Sequence, residues 1–364
     1  MRVAVVTESF LPQVNGVTNS VLRVVEHLRR QGHEAMVVAP GPGPDRHGDV
    51  EVRRIPSAPL PMYAEQRVSL PNLELSRALA GFRPDVVHLA APAVLGAHAA
   101  ALARRMDVPS VAIYQTDLPG YAERYRLTAL TRAAWRWVRT VHSAATRTLA
   151  PSRHACAQLE AHGVDRVSRW PRGVDPRRFS PTHRDDELRA RLAPDGELLV
   201  GYIGRLAPEK ELALLRGVQD LPGVRLVVAG DGPARGALQR QLPRATFLGM
   251  IGGLDLSSTF ASLDLFVHTG RHETFCQAAQ EALASGVPVV APAAGGLLDL
   301  VDPGVNGDLF DPGSAVDLRQ RVTRLVADPH LRQQMAAAAR TSIAGRDWAT
   351  INDDLLATYR SVQL

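Results

Sequence analysis

Lysine is almost absent from this chain, and cysteine is rare. Of the 42 basic residues, Lys210 is the only lysine and all others are arginine. Because an ammonium is a compact point charge and a guanidinium is a flat fork, this single lysine indicates a site that needs the ammonium. The two cysteines, Cys156 and Cys276, lie far apart. In a chain without export signals this favours free thiols over a disulfide.

Long apolar runs and targeting signals are missing as well. No apolar run reaches the ~18 residues of a membrane-spanning helix. Residues 1–10 carry one arginine and then enter an apolar strand, which is unlike a signal peptide, so we expect a cytoplasmic protein. Hydrophobic residues make up 45% and charged residues 22% of the 364 positions. This composition is typical of a globular protein with room for two domains.

Positive charge is concentrated in the first half of the chain. Residues 1–175 contain 22 arginines against 15 acids, whereas the remainder holds 20 basic residues against 22 acids. A basic first half favours an anionic acceptor or peripheral association with an anionic membrane. An arginine-rich surface without a partner explains the same numbers. Nucleic acid is not expected as a partner, because the basic residues are scattered and no recognition motif accompanies them.

Strands alternate with helices along the chain, which predicts an α/β fold of doubly wound domains. Ligands in such domains bind beyond the carboxyl ends of the strands, and His88, Gln115 and Asp117 lie at two predicted strand ends. Asn15 and Gly16 lie between the first strand and the first helix, where a glycine lets the backbone approach an anion. A structural histidine and an ordinary strand-to-helix turn are the plainer interpretations of His88 and Gly16.

Two stretches of the first half stand out from this alternation. Residues 56–72 hold four prolines, which argues against regular structure and predicts a long loop on the acceptor side. Residues 121–147 are amphipathic, and their arginines alternate with aromatic side chains. The pattern suits a membrane interface, although an internal helix with a solvated basic face is the commoner explanation. The residues concerned are Arg124, Tyr125, Arg126, Arg132, Trp135, Arg136, Trp137 and Arg139.

The second half carries two motifs that suit a sugar nucleotide. A strand at residues 198–203 runs into a turn flanked by Arg205 and Lys210, so both cations could reach one diphosphate. Farther on, Glu273 lies in the turn before a predicted helix and Glu281 about two turns along it. A helix start offers unpaired N–H groups to a phosphate or sugar oxygen, and carboxylates accept hydrogen bonds from hydroxyls.

The two glutamates, the ALASGVPVVA that follows them and a glycine pair resemble the C-terminal signature of retaining nucleotide-sugar glycosyltransferases of family four. Within that family, HTGRHETFCQ is most similar to GDP-mannose-dependent α-mannosyltransferases of actinobacteria. The resemblance implies the glycosyltransferase-B fold, with two Rossmann-like domains facing a cleft. The acceptor-binding domain would comprise residues 1–172 and a returning helix at 346–364, and the donor-binding domain residues 173–345.

The resemblance also implies transfer of a hexose, above all mannose from GDP-mannose, to a hydroxyl of a glycolipid or small-molecule acceptor, with retained configuration. Arg205, Lys210 and Glu273 would be catalytic, the two cations at the departing diphosphate and Glu273 at the sugar. No Asp-x-Asp triplet lies at the expected cleft, so neither a metal nor another cofactor is expected. The implied donor-binding residues are Gly16, Gly204, Met250, Ile251, Phe275, Cys276, Gln277 and Glu281. The residues expected to orient the acceptor or sugar are Asn15, His88, Gln115 and Asp117.

One position departs from the wider family. Many relatives read Tyr-His-Thr-Asp where this chain has glutamine at position 115, and Gln115 hydrogen-bonds but transfers no proton. The GDP-mannose branch also tends to carry glutamine there. Two alternatives remain at this point. One is the same scaffold with a UDP-sugar donor and an antibiotic, aminocyclitol or other natural-product acceptor; the other is a nucleotide-binding protein without turnover.

Overall fold

The structure, a computed structural model, describes residues 1–13, 15–60, 63–70, 72–117, 119–120 and 128–363. The chain divides into two compact units. Unit 1 comprises Met1–Arg172 and Trp348–Leu364, and unit 2 comprises Gly173–Asp347. The chain therefore passes from unit 1 to unit 2 after residue 172 and returns to unit 1 after residue 347.

Among the described residues, unit 1 contains an eight-stranded sheet covered by helices and a separate pair of strands. Its strands are β1 (Arg2–Thr7), β2 (Glu34–Pro40), β3 (Arg46–His47), β4 (Val50–Ile55), β5 (Ala58–Leu60), β6 (Tyr63–Val68), β7 (Val86–Ala90), β8 (Ser110–Ile113), β9 (Arg147–Ala150) and β10 (Val167–Arg169). Its first helices are α1 (Gly16–Arg30), α2 (Leu73–Phe82), α3 (Leu95–Arg105), α4 (Thr128–Ala144) and α5 (Arg153–Ala161). The main sheet has the order β10-β9-β8-β7-β1-β2-β4-β3 and is parallel except for the β3–β4 pair.

Unit 2 repeats the same plan with a smaller sheet. Its strands are β11 (Leu198–Ile203), β12 (Val224–Ala229), β13 (Thr246–Gly249), β14 (Leu265–Val267), β15 (Val289–Pro292) and β16 (Gly307–Phe310). They are all parallel, in the order β13-β12-β11-β14-β15-β16. Its helices are α6 (Asp186–Leu192), α7 (Arg216–Gln219), α8 (Arg235–Gln241), α9 (Gly253–Ser262), α10 (Gln277–Ala284), α11 (Ala315–Ala327) and α12 (Pro329–Ser342). Short 3-10 helices cover Pro181–His183, Pro208–Lys210, Leu212–Leu215 and Gly295–Asp299.

The central strands are apolar along their whole length because both faces of each sheet are covered. Val3, Ala4, Val5 and Val6 of β1 are all fully buried. Side chains of a strand point alternately to opposite faces, so this continuous run feeds two cores, as expected for parallel sheets. Polar side chains that bind a ligand are therefore expected in the loops at the carboxyl ends of the parallel strands.

The chain returns to unit 1 with α13 (Trp348–Ser361). Several hydrogen bonds hold this helix on unit 1. Trp170 Nε1 donates to Ile351 O at 2.8 Å, His27 Nε2 lies 2.9 Å from Asp353 Oδ1, and the Tyr359 hydroxyl lies 2.6 Å from Nδ1 of His88. The helix therefore closes the core of unit 1 and holds the segment that precedes residue 172.

The prediction of an irregular loop over residues 56–72 was wrong. β5 and β6 pair antiparallel, with Ala58 opposite Val68 and Pro59 opposite Arg67. Proline is tolerated in such an isolated pair, because its missing N–H can face away from the partner strand. The guanidinium of Arg67 donates to Oγ and to the backbone oxygen of Ser57, both at 2.8 Å, and so ties the hairpin to the loop before it.

The placement of His88 at a strand end was wrong as well. His88 is the third of the five residues of β7, and its side chain is buried against Tyr359 of α13. Burial lowers the pKa of His88 to about 3, so the ring is neutral near pH 7. Its role is to close the core of unit 1, and it leaves the set of candidate site residues.

Candidate functional site

Unit 2 holds Glu273 in a loop whose backbone is fixed on both sides. The loop leaves β14, and Thr269 Oγ1 donates to Lys210 O at 2.5 Å. On the other side Gly296 N donates to Glu273 O at 2.8 Å. A Cβ on Gly296 would lie 2.5 Å from Thr274 O, so only glycine lets the two segments approach this closely. The glycine pair seen in the sequence is thus a packing requirement of the Glu273 loop.

The Glu273 carboxylate is held by two nitrogen donors on one of its oxygens. Its Oε1 lies 2.5 Å from Lys210 Nζ and 3.0 Å from His268 Nε2. Burial would raise the pKa of Glu273, but Lys210 and His268 outweigh it and lower that pKa to about 2. Burial likewise opposes the charge on Lys210, and the Glu273 carboxylate nevertheless raises the Lys210 pKa. Glu273 is therefore ionised at neutral pH, and no described residue occupies its Oε2, which remains a hydrogen-bond acceptor for a ligand.

Two side chains near this carboxylate, His268 and Tyr202, were not singled out by the sequence. His268 is buried, its ring stacks on Tyr202 with centroids 6.0 Å apart, and the Tyr202 hydroxyl donates to Arg205 O at 3.0 Å. Burial alone would lower the pKa of His268, but its interactions with the Cys276 side chain and with the Glu273 carboxylate raise it to about 9. Within the described ranges, ligand atoms of His268, Glu273 and Cys276 lie within 4.8 Å of one another and could hold a metal ion. Because Lys210 already neutralises Glu273, we interpret the group as a hydrogen-bonding network.

The turn from Gly204 to Lys210 follows β11 and brings a second cation to the same place. Arg205 lies close enough to lower the pKa of Lys210 electrostatically, against the larger effect of Glu273. Its guanidinium forms an ion pair with Glu209, and 53% of its side chain is exposed to solvent. Arg205 is thus an accessible cation beside a buried one, which suits a site for a doubly charged phosphate group.

The start of α10 supplies unpaired amides beside Glu273. The helix begins at Gln277 with Cys276 as its N-cap, and the Cys276 side chain makes no capping hydrogen bond. The first N–H groups of a helix have no partner within the helix, so those near Phe275, Cys276 and Gln277 can face an oxygen-rich ligand. Gln277 itself donates its side-chain Nε2 to Gly173 O at 3.1 Å.

Glu281 lies nearer the helix start than predicted. It is the fifth residue of α10 and so about one turn along the helix, not two. Burial raises the pKa of Glu281 to about 7, against the lowering effects of a hydrogen bond from Gln277 and the charge of Arg178. Met250, 75% exposed, and the partly buried Ile251 follow β13 at the same carboxyl edge of the sheet.

The unit 1 candidates form a separate group at the start of α1 and the end of β8. Asn15 caps α1, because its Oδ1 accepts from the N–H groups of Val17 and Thr18, both at 3.0 Å. Asp117 accepts from the Tyr114 hydroxyl at 3.1 Å and from Gly120 N at 2.9 Å. Both side chains therefore have structural duties as cap and turn residues.

Gly16 and Gln115 are joined by a residue that the sequence did not indicate. Arg172 donates from Nη1 to Gly16 O at 2.9 Å and from Nη2 to Oε1 of Gln115. In the sequence Arg172 lies in the PRGVD run at the crossing between the two units, more than fifty positions from either partner, so no local pattern could have revealed the contact.

Comparison with known proteins places the chain in a well-populated group. The model of Glycosyltransferase Family 4 matches residues 14–178, and that of Glycosyl transferases group 1 matches residues 183–342. A GDP-mannose-dependent alpha-mannosyltransferase of Mycobacterium tuberculosis is 50% identical over 100% of this chain and 97% of its own length. The protein of the same name from Mycolicibacterium smegmatis is 49% identical over 100% and 98%. The crystal structure of Anabaena HepE with UDP superimposes with a TM-score of 0.80 at 22% identity, over 99% of this chain and 100% of that one.

Proposed function

The chain belongs to glycosyltransferase family 4, and from this we propose that it transfers mannose from GDP-mannose to a hydroxyl of an acceptor, with retention of the anomeric configuration. The predicted family, the enzyme class and the fold of two Rossmann-like domains are confirmed by the family models and the solved relatives. The choice of mannose and guanosine rests on relatives about half identical over the full chain.

The observation that carries the proposal is the Lys210–Glu273–His268 network. The network keeps the Glu273 carboxylate ionised. Lys210 and His268 both bind its Oε1, and its Oε2 remains available to a ligand. A sugar hydroxyl is a suitable partner, because it donates to a carboxylate and can accept from the nearby helix-start amides. A simple nucleotide-binding protein would have no use for such a carboxylate.

Chemistry at this site depends on the charge that builds up as the glycosidic bond breaks. The departing diphosphate gains a negative charge, which Lys210 and the exposed Arg205 of unit 2 would stabilise. Preorganised cations favour the transition state because they need not reorient when the charge develops. Glu273 and the amides of Phe275 and Cys276 would fix the sugar while the bond breaks.

The nucleoside would extend from this turn toward Glu281, Met250 and Ile251. The ribose hydroxyls are suited to Glu281, which accepts hydrogen bonds when it is ionised. Met250 is strongly exposed and Ile251 partly buried, so this pair offers an apolar surface to a base. No residue in this assignment requires a metal, so we keep the expectation that GDP-mannose is turned over without one.

On the acceptor side we propose a glycolipid or a small molecule, with the protein cytoplasmic and peripheral at an anionic membrane. Support comes from α4, where Arg132, Arg136 and Arg139 are exposed together with Leu130 and Trp137. Exposed cations and aromatic side chains on one helix suit the interface of an anionic bilayer. No helix among the described residues is long and apolar enough to cross a bilayer. Arg124, Tyr125 and Arg126 of the predicted stretch lie outside the described residues.

A thermal-shift panel of GDP, UDP, ADP and their sugars tests the donor. A ligand at 100 times its dissociation constant stabilises a protein by about 2.7 kcal/mol. GDP and GDP-mannose should therefore raise the melting temperature more than UDP and UDP-glucose at equal concentration. Equal shifts, or larger shifts with UDP compounds, would contradict the donor assignment and leave the family assignment intact.

A further inference from the structure

Arg172 binds two loops of unit 1 that both carry candidate site residues. Its guanidinium reaches Gly16 O at the start of α1 and Oε1 of Gln115 after β8. The segment that leads to Arg172 is itself fixed. Trp170 N donates to Ala150 O at 2.8 Å, and the Trp170 indole donates to Ile351 O at 2.8 Å. Arg172 is therefore presented from a rigid edge of unit 1 and not from a free linker.

This contact decides which way the Gln115 amide faces. A guanidinium only donates hydrogen bonds, so the atom of Gln115 that it binds must be the oxygen. The amide nitrogen Nε2 is then directed elsewhere. It is buried, and no hydrogen-bond acceptor for it is found among the residues that the structure describes. A buried donor without an acceptor is unfavourable, so this Nε2 is suited to an oxygen of a bound ligand.

We propose that Arg172 is a positioning residue, which fixes the Gln115 amide so that Nε2 donates to a hydroxyl or phosphoryl oxygen of substrate bound at unit 1. The inference rests on the proposed function, since it assumes a sugar-nucleotide substrate. In this proposal Gln115 is a fixed hydrogen-bond donor to the substrate, and Arg172 acts only through Gln115. The same guanidinium also binds Gly16 O and so holds the start of α1.

The pairing also gives a physical reason for glutamine at position 115. An imidazole there would have to turn an unprotonated nitrogen toward Arg172, and a protonated ring would be repelled by the guanidinium. Burial lowers the pKa of Arg172 only to about 10, so the guanidinium keeps its charge near neutral pH. Gln115→His can reproduce the pairing only as a neutral ring that accepts from Arg172 and donates from its other nitrogen, so it should keep measurable activity at pH 8 and lose it as the ring is protonated at lower pH.

Four variants separate positioning from folding. Gln115→Glu is nearly isosteric and keeps an oxygen for Arg172, but it lacks the Nε2 donor. Gln115→Ala removes both contacts, Arg172→Met removes the guanidinium, and the double variant Gln115→Ala/Arg172→Met tests whether the two act together. Arg177→Met is the matched control, because Arg177 is an exposed arginine five positions further on.

The measurements are the rate of GDP-mannose hydrolysis with water as acceptor, calorimetric binding of GDP and of GDP-mannose, and the melting temperature. We expect Gln115→Glu, Gln115→Ala and Arg172→Met each to lower kcat/KM by about tenfold to a hundredfold, because small misplacements of a positioning group cost that much. The double variant should be no slower than the slower single variant. Gln115→Glu should melt no lower than the wild type, and Arg177→Met should behave as the wild type.

The binding data identify the oxygen. Weakened binding of GDP itself assigns the contact to a phosphoryl oxygen, and unchanged GDP binding with slower turnover assigns it to a hydroxyl. Wild-type rates in Gln115→Glu, or losses that multiply in the double variant, would overturn the proposal. If Arg172→Met has a lower melting temperature than the wild type, Gln115→Glu and Gln115→Ala still test the proposal. If the wild type cleaves another sugar nucleotide instead of GDP-mannose, the proposed donor fails and the same comparison is run with that nucleotide.

Discussion

Lys210 is more than an exposed cation of a turn. Only 20% of its side chain is exposed, and it shares Oε1 of Glu273 with His268. The ammonium therefore neutralises a partly buried carboxylate, and in the proposed mechanism it has a second duty, to stabilise the departing diphosphate. Arginine cannot replace it freely, because a planar fork does not fit the position of a point charge. This is a physical reason for the one lysine of the chain.

Substitution of Lys210 should separate these duties. Lys210→Ala should lower kcat and kcat/KM together by about a hundredfold, since the loss falls mainly on the transition state. It should also lower the melting temperature, because it leaves a partly buried carboxylate with one donor fewer. Lys210→Arg should recover little of the rate. Steady-state kinetics well below the melting temperature, together with thermal melting, measure both effects.

The double variant Lys210→Ala/Glu273→Gln is the control for the stability effect. With a neutral amide at position 273 no charge is left unpaired, so its melting temperature should exceed that of Lys210→Ala. Arg205→Ala, which removes an exposed cation, should slow turnover with little change in melting. Normal turnover by Lys210→Ala would refute the assignment of this residue to the donor site.

Glu281 should make stability and nucleotide binding depend on pH. Burial raises its pKa from 4.5 to about 7 in the folded protein. The stability that the neutral acid contributes is thus fully present below about pH 4.5 and is lost as the pH rises through about 7. Glu281→Gln stays neutral, so its melting temperature should exceed that of the wild type by about 2 °C or more at pH 8, and by less at pH 5.

Binding of GDP should show the opposite trend. Ribose hydroxyls donate to the ionised carboxylate, so the wild type should bind GDP more tightly as the pH rises from 6 to about 8, while Glu281→Gln should show a weaker trend. Calorimetric titration of GDP at each pH measures the difference between the two proteins. A wild type and a variant with the same pH dependence would remove Glu281 from the ribose site.

At the scale of elements, the glycine pair after β15 supports the Glu273 loop. A Cβ on Gly296 would lie 2.5 Å from Thr274 O and 2.7 Å from the Cα of Phe275, which are backbone atoms that cannot turn aside. Gly296→Ala should therefore cost about 1–3 kcal/mol, as overpacking does, and should weaken GDP binding by displacing the loop.

Gly236→Ala is the matched control for this effect. Gly236 lies in α8, and a Cβ there would meet only Arg240 Nη1 at 3.9 Å. Alanine is favoured over glycine within a helix, so this variant should melt slightly higher and bind GDP normally. Thermal melting and calorimetry compare the two variants. If Gly296→Ala is as stable and binds as well as Gly236→Ala, the close approach does not support the site.

The helix α4 should carry the membrane interaction. Near the surface of an anionic bilayer each arginine contributes about 1 kcal/mol, so the triple variant Arg132→Gln/Arg136→Gln/Arg139→Gln should bind such vesicles about a hundredfold less at low salt. A triple variant of exposed arginines in unit 2, Arg216→Gln/Arg240→Gln/Arg340→Gln, should bind like the wild type. Vesicle flotation at low and high salt measures this. If the wild type does not float with anionic vesicles even at low salt, a soluble acceptor is favoured.

The elements that could be predicted are those with strong periodicity. The apolar runs of β1 and β11 lie where the sequence indicates, because burial of a continuous stripe leaves few alternatives. The β5–β6 hairpin was missed because its four neighbouring prolines signal a loop, and an isolated hairpin needs no uninterrupted ladder. The sequence predicts that β7 ends at His88, because a polar residue is expected at the edge of a sheet. In the structure His88 lies within β7, and its ring is hydrogen-bonded to Tyr359 in the core.

At the scale of the whole molecule, the sequence selects candidate site residues but does not predict which residues they contact. The Lys210–Glu273 pair spans 63 positions, and Arg172 meets Gln115 across 57. Spacing within one helix or strand carries no information about such contacts, because tertiary packing creates them. Composition, the places of turns and strand ends, and resemblance to a family together selected Lys210, Glu273 and Gln115. The structure added His268 and Arg172, whose roles follow only from the atoms they touch.

The central claim is that this glycosyltransferase uses GDP-mannose with retention. Time-resolved proton NMR of GDP-mannose with the wild-type protein and water as acceptor tests it most directly, because donor cleavage and the configuration of the released sugar are read in one experiment. The account predicts that GDP appears and that α-mannose forms before mutarotation produces the β-anomer, while UDP-glucose under the same conditions stays intact. Cleavage of UDP-glucose with GDP-mannose left intact, or β-mannose as the first product, would contradict it.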